Sequence, residues 1–383
     1  MRIALFIRTL GIGGTERQVQ LLASGLKEAG HEVEVVCFYE EPGFGGLFQA
    51  MGLKVYYLDQ IGGGGWRGRW REAARLFKEG GFDIVISYLD SANLLAAGLK
   101  LTGDPFRLVW NLRGMKSWVE ALKSGSGLWR GELLESLFSW IPDRIICNSY
   151  AVCDAAMKCL HPFPSMRVVW NGVETPERRD SRGSREGVRR EWGVREDECL
   201  AGLVARMVPV KDHITFLRAA QRLVQGGGLW RFLCVRGGGS VYEKYICQQA
   251  ERLGVGHRIV WIDLTPDIRP VYEALDLLCL TSRREGSPNV VGEAMSHGVP
   301  CVTTDVGDCA RLVGDCGVVV PVGDDAALAD GLRKMAGELK MRGDDLRRRC
   351  RERIRRGCGV DRLVENTVMV LNEVLGVNQG RKG

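Results

Sequence analysis

Short apolar runs alternate with helix-period segments along this chain, and the alternation runs, breaks and then restarts. In the first half the runs are RIALFI (2–7), EVEVVCF (32–38), LKVYYL, FDIVIS, FRLVWN, DRIICN and MRVVW. Between the first two, Val19, Leu22, Ala23 and Leu26 share one helical face. After Val173 comes ETPERRDSRGSREGVRREWGVREDE, polar and densely charged, which reads as a surface loop and equally suits a domain linker. Then CLAGLV, RFLCV, RIVWI, LLCL, VPCVTT and GVVVP resume the pattern. Strands separated by helices build parallel, doubly wound sheets. The expectation is an α/β protein with two Rossmann-like domains, residues 1–172 and 173–359. The last helix, within 360–383, is free to return to the first domain.

A chain of 383 residues exceeds what one hydrophobic core usually serves, which also favours two domains. With 45% hydrophobic and 26% charged residues, a disordered or fibrous chain is excluded. A net charge of +6 does not by itself indicate nucleic acid, and an acidic substrate or an anionic membrane surface suits it as well. The 13 cysteines form no C-x-x-C pair, and Cys37, Cys147, Cys234 and Cys279 lie inside strand-like runs. They read as buried thiols of a reducing compartment rather than as disulfides or a zinc site. The N-terminal apolar run is too short for a signal peptide, and no stretch reaches the ~20 apolar residues that span a bilayer. A cytoplasmic protein, at most peripheral to the membrane, is expected.

Three segments carry chemistry. In RTLGIGGTER (8–17), Gly11 and Gly13 begin a dinucleotide fingerprint that Glu16 breaks. What survives is a tight Gly13-Gly14-Thr15 turn opening a helix, either a phosphate approach or a plain turn. In GLVARMVPVKDH (202–213), Arg206 and Lys211 follow a strand, and Asp212 is a natural helix N-cap. Cations at the carboxyl end of a parallel strand point to where such sheets bind ligands. In REGSPNVVGEAMSHGVP (284–300), Ser287 suits an N-cap and Pro288 the first helical position. The spare N–H groups of Asn289 and Val290 then make an anion site. Glu285 precedes this helix and Glu293 lies two turns along it. Carboxylates accept hydrogen bonds from paired hydroxyls, which sugars and riboses offer.

EGSPNVVGEAMSHGVPCVTTDVG resembles the E-x7-E segment of the retaining GT-B glycosyltransferases of family 4, the glycosyl transferases of group 1. VARMVPVKDH resembles that family's Arg…Lys motif, and GGTERQ, ICNSYAV, VVWNGVE, CVRGGGSVYEKY and PDIRPVYEALDLLCLTSRREG resemble further pieces in the family's order. The resemblance implies a GT-B fold, two Rossmann-like domains facing a central cleft, the first binding the acceptor and the second the nucleotide sugar. It implies that Arg206 and Lys211 bind the donor diphosphate and that the backbone of Gly286, Ser287, Pro288, Asn289 and Val290 caps its phosphates. Glu293 would hold the ribose and Glu285 the transferred sugar. Gly13, Gly14 and Thr15 would approach the donor from the first domain, with Asn171 and Gly237 on the family's turn and loop. Fixed cations and aligned N–H groups would stabilise the leaving diphosphate, and the chain has no Asp-x-Asp motif, so no metal or other cofactor is expected.

The chain departs from the family where many members carry a His after the strand LVWNLRGMK. Here Asn111 and Arg113 stand instead, and Arg113 reads as a phosphate contact, an acceptor contact or a surface cation. None of the five histidines is a convincing base. A Glu frequent near Arg311 is absent.

The expected activity is transfer of a hexose or N-acetylhexosamine, from a UDP-sugar before other nucleotides, to a glycan or lipid-linked glycan in cell-surface polysaccharide or glycolipid synthesis. An epimerase of the same fold and a non-catalytic partner subunit are the rivals, the first weakened by the poor histidine supply. The stretches WRGRWREAAR (66–75) and GLWRGELLESLFSWIPDR (127–144) suit core packing, with a lipid-linked acceptor or the membrane as the sharper alternative. The basic stretch MRGDDLRRRCRERIRR reads as a solvated helix face, with attraction to a membrane surface as its alternative.

Overall fold

The computed structural model describes residues 1–11, 13–62, 65–114, 129–159, 165–175, 182–237, 239–265 and 267–377. All thirteen apolar runs are strands: β1 Arg2–Ile7, β2 Glu32–Cys37, β3 Lys54–Tyr57, β4 Ile84–Tyr88, β5 Arg107–Leu112, β6 Arg144–Cys147, β7 Met166–Val168, β8 Cys199–Leu203, β9 Trp230–Arg236, β10 Ile259–Asp263, β11 Leu277–Leu280, β12 Cys301–Thr304 and β13 Gly317–Val320. They form two parallel sheets, ordered β3-β2-β1-β4-β5-β6-β7 and β10-β9-β8-β11-β12-β13. Each order reverses once, between β1 and β4 and between β8 and β11. At such a reversal the following helices leave on opposite faces, which opens a crevice at the carboxyl ends of the strands.

The principal helices are α1 Gly14–Glu28, α2 Trp66–Glu79, α3 Leu89–Leu101, α4 Trp129–Leu137, α5 Tyr150–Lys158, α6 Arg182–Glu191, α7 His213–Gln225, α8 Val241–Arg252, α9 Asn289–Ser296, α10 Asp325–Cys358 and α11 Val360–Leu375. The chain divides into two compact units, Met1–Gly172 with the chain from Val360 onward, and Val173–Gly359.

In the first unit the sheet is buried on both faces. Ile3, Leu5 and Ile7 point to one core with Val19, Leu22 and Leu26 of α1 and Leu363, Val364, Leu371 and Val374 of α11. Ala4 and Phe6 point to the other, with Phe77, Leu95 and Trp110. The two-residue period of a strand makes this division. Gly25 lets α1 and α11 touch, because a Cβ there would lie 2.3 Å from Val364 Cγ2.

The charged segment after Val173 is not a loop throughout, since α6 lies within it. Arg189, only 6% exposed, donates to Asp276 Oδ2 at 3.0 Å and to the carbonyls of Ala274, Arg195 and Glu198. Arg185 donates to Asp276 Oδ1 at 2.6 Å and to two further carbonyls. Asp276 also accepts from Leu200 N at 2.9 Å and from Arg347 Nη2 at 3.3 Å. These partners hold the Asp276 carboxyl below its usual range, against the burial that would raise it. Buried charge survives only when paired and hydrogen-bonded.

The basic stretch near the C-terminus forms part of α10, which kinks at Arg342. Its solvated reading is only half correct. Leu346, Cys350 and Ile354 are buried, Arg347 and Arg353 donate to the carbonyls of Gly298 and Leu312, and Arg349 pairs with Asp315. All 13 cysteines are free thiols, most of them buried. Among the described residues no helix is long and apolar enough to cross a membrane.

Candidate active site

In the second unit the site forms at the reversal between β8 and β11. After β8 the chain passes Arg206, makes a short helical turn at Pro209–Lys211 and places Asp212 in the left-handed region, at φ 48°. Asp tolerates that region better than most residues. Asp212 caps α7 by accepting from Thr215 N, and it also accepts from Arg283 Nε at 3.1 Å. The loop after β11 grips the same turn: Thr281 Oγ1 donates to Lys211 O at 2.8 Å and Arg283 N to Val210 O at 2.8 Å. The lysine backbone is thus fixed from the neighbouring strand. Its ammonium donates to Glu285 Oε1 at 2.5 Å, with the two side chains 21% and 14% exposed. Arg206 is exposed, and no described carboxylate pairs with it.

Glu285 and Gly286 are supported from beneath. Asp308 N donates to Gly286 O at 3.0 Å, and Gly307 adopts φ 55°. A Cβ on Gly307 would meet Gly286 O at 2.3 Å and Glu285 O at 2.4 Å, so only glycine fits. Gly307→Ala is expected to push Glu285 out of place and lower the transfer rate about 100-fold, as a misplacement of about 1 Å does. Steady-state kinetics would show it, and a wild-type rate would contradict this support.

Helix α9 begins one residue later than expected. Pro288, with ψ 110°, is the N-cap, and Asn289 is the first helical residue. Ser287 therefore lies outside the helix. The first backbone N–H groups of α9 still lack partners within the helix, as at any helix start. Glu293 accepts from the hydroxyl of the buried Tyr272 at 2.7 Å. Sequence reasoning missed this partner because the two residues lie far apart in the chain. The amide of Gly237 donates to Glu243 at 3.0 Å, and Gly239 does likewise at 3.1 Å, while Ser240 caps α8. Gly237 thus spends its N–H on its own helix, a capping arrangement readable as Ser followed three residues later by Glu.

His213, at the start of α7, is fully buried, and neither ring nitrogen has a partner among the described residues. Burial lowers its pKa to about 4, with Asp212 opposing. A folded pKa below the unfolded value means stability that is full above ~6.5 and lost as pH falls toward 4. The expected loss is ~3 kcal/mol. Denaturant melts between pH 7 and 4 should show that slope, and His213→Phe should flatten it.

In the first unit Gly13 is the N-cap of α1, in extended backbone. A Cβ there would lie 2.2 Å from Glu16 Oε2, the mobile end of the side chain that breaks the dinucleotide fingerprint, so a larger residue would only displace that carboxylate. Gly14 and Thr15 are the first two residues of the helix. Gln18 donates to Gly172 O at 2.8 Å and accepts from Gly172 N at 2.7 Å, which ties the segment after β7 to α1. Next to that tie, Arg113 donates to Asn171 Oδ1 at 2.7 Å and lies 5.6 Å from the Tyr88 ring. Burial lowers the Arg113 pKa, with Tyr88 and Glu16 opposing, and burial pushes the Tyr88 phenol up to about 12. Arg113 is thus half-buried and held by Asn171 rather than free on the surface. Among the described residues no group of three or more His, Cys, Asp or Glu is placed to hold a metal ion.

Two parallel doubly wound sheets, each reversing once, are the architecture of the GT-B transferases. The family models match in two parts: Glycosyltransferase Family 4 over residues 12–177 and Glycosyl transferases group 1 over 198–338. The chain belongs to the group 1 glycosyltransferases. It is 22% identical over 315 residues to the putative glycosyltransferase EpsF of Bacillus subtilis, covering 79% of each chain. It is 30% identical over 206 residues to the D-inositol 3-phosphate glycosyltransferase of Saccharomonospora viridis, covering 51% of this chain and 47% of that one. The chain thus spans most of the first relative's length and about half of the second's. Among solved structures, Anabaena HepE in complex with UDP superposes with a TM-score of 0.84 at 19% identity, covering 97% of this chain and 100% of that one. WaaG, a glycosyltransferase involved in lipopolysaccharide biosynthesis, gives 0.70 at 17% identity, covering 98% and 100%.

Proposed function

We propose that the protein moves a hexose or N-acetylhexosamine, with retention and without a metal, from a UDP-sugar to a glycan or lipid-linked glycan at the cytoplasmic face of a membrane. The observation that carries this reading is the Lys211–Glu285 pair, set beyond the carboxyl ends of the paired strands β8 and β11 and followed directly by the start of α9. The pair is neutral as a unit, so the uncompensated positive charge is that of Arg206 and the helix start. Both suit a diphosphate, and both gain as charge grows on the leaving group. Glu285 then has a second role, since it orients the Lys211 ammonium as well as offering oxygens to sugar hydroxyls. Glu293, steadied by Tyr272, suits the ribose. HepE in complex with UDP, and with UDP-glucose, supports the nucleotide. WaaG, involved in lipopolysaccharide biosynthesis, supports a role in polysaccharide or glycolipid synthesis.

Glu293→Ala is expected to weaken UDP binding about tenfold, the worth of ~1.4 kcal/mol of charge-assisted hydrogen bonding. Calorimetric titration measures it directly, and unchanged affinity would remove the ribose role.

A further inference from the structure

We propose that the first unit holds a binding site for the apolar chain of the acceptor, and that the polar group next to that chain is anionic. This rests on the transferase reading above and narrows the acceptor to an amphiphile. A cavity of about 550 Å³ opens among α2, α3 and α4, beside the carboxyl ends of β1 and β4. That is the size of a small-molecule site. Trp66, Leu94, Leu101, Leu134 and Phe138 supply apolar walls. Leu101 is 56% exposed, Leu134 43% and Trp66 50%, and Trp140 just beyond them reaches 67%. Large side chains gathered in this way around an opening mark a binding surface rather than scattered surface residues.

The polar lining is all at the carboxyl edge of the sheet. Arg8 follows β1, while Asp90 and Ser91 stand in the first turn of α3, just after β4. The Arg8 guanidinium is exposed, lies 6.0 Å from the Tyr39 ring and has no carboxylate partner among the described residues. Arg69 lies 4.8 Å from the same ring, and its Nε is buried without a partner. Two cations around one ring, next to an apolar cavity, complement a phosphate attached to a hydrocarbon chain.

Leu89 gives the location a second support. It adopts φ 67°, a costly conformation for an aliphatic residue and one that concentrates at functional sites. Leu89 lines this cavity and also the small pocket that contains Arg113. The polar end of the cavity therefore adjoins the Arg113–Asn171 cluster. A free sugar would leave the apolar walls unused, whereas a hydrocarbon chain gains from every methylene it buries.

The test is calorimetric binding of dodecyl phosphate, kept below its micelle-forming concentration, to the full-length protein. Inorganic phosphate and dodecyl maltoside serve as comparisons, and UDP is titrated separately. Dodecyl phosphate is expected to bind at least tenfold more tightly than inorganic phosphate. Leu134→Asp, at an exposed position where folding is readily checked by melting, should weaken it tenfold or more. Arg8→Gln should weaken dodecyl phosphate and leave dodecyl maltoside unchanged. Equal affinity for inorganic phosphate, or indifference to Leu134→Asp, would overturn the proposal. Binding to anionic phospholipid vesicles without binding to the monomeric amphiphile would overturn it too, and would assign the patch to a membrane surface. If UDP binds and dodecyl phosphate does not, only this inference fails. If neither binds, the donor reading fails with it.

Discussion

Lys211→Ala is expected to lower kcat/KM for sugar transfer by about 10²–10³-fold and to weaken UDP binding, whereas Glu285→Ala is expected to lose transfer with UDP affinity largely kept. The geometry accounts for the asymmetry. In the proposed role Lys211 meets the diphosphate from a turn that Thr281 and Arg283 hold in place. Removing its ammonium takes away a charge that the departing diphosphate needs. It also leaves Glu285, 14% exposed, without its partner and next to the developing anion. Removing Glu285 instead leaves the ammonium free for phosphate, and takes away the contact to the transferred sugar together with the partner that orients Lys211. Glu285→Gln keeps the shape and loses the charge, so it separates hydroxyl binding from orientation of Lys211. The measurement is initial rates with UDP-sugar beside UDP titrations of each variant. Wild-type transfer by Glu285→Ala, or unchanged UDP affinity in Lys211→Ala, contradicts the roles proposed.

Asp276→Ala is expected to cost about 3–5 kcal/mol, the usual result of removing one partner from a buried charge network. Arg185, Arg189 and Arg347 all converge on this carboxylate, and Arg189 has almost no access to water. For a unit of this size the loss corresponds to a fall in melting temperature of roughly 10 °C. The wild-type protein carries the same signature in acid. A depressed carboxyl pKa contributes stability above the unfolded value near ~3.9, and that stability is lost as pH falls through the folded value. Melting curves from pH 6 to 3 for wild type and Asp276→Ala should converge at the acid end. Parallel curves would mean that the network is not the source.

The fold was legible because its signal is local. Period-two and period-3.6 apolar patterns marked every strand and α1, and parallel pairing follows from helices lying between strands. The site was legible in part for the same reason: helix-start chemistry at Asp212 and the Glu285–Glu293 spacing are short-range patterns. What could not be read depends on partners that meet only after folding. Arg185 and Arg189, one turn apart among other charges, look like a solvated face until Asp276 arrives from the bend before β11, about 90 residues on. Tyr272 against Glu293, and Gly307 beneath Glu285, are of that kind. The Ser287 expectation failed by one residue because Pro288 keeps an extended ψ. Gly237 shows the opposite case: the Ser240–Glu243 capping pair was readable and went unused.

The placement of α11 bears on how the chain is made. Its leucines and valines complete the core face that β1 and α1 begin, although more than 300 residues separate them in synthesis. A ribosome therefore delivers the whole of Val173–Gly359 before the first unit can close its own interior. Until then the Val19–Leu26 stripe is an open apolar surface on the nascent chain. The second unit is contiguous and can mature alone, so the part of the molecule that is translated later is the part that can be finished first.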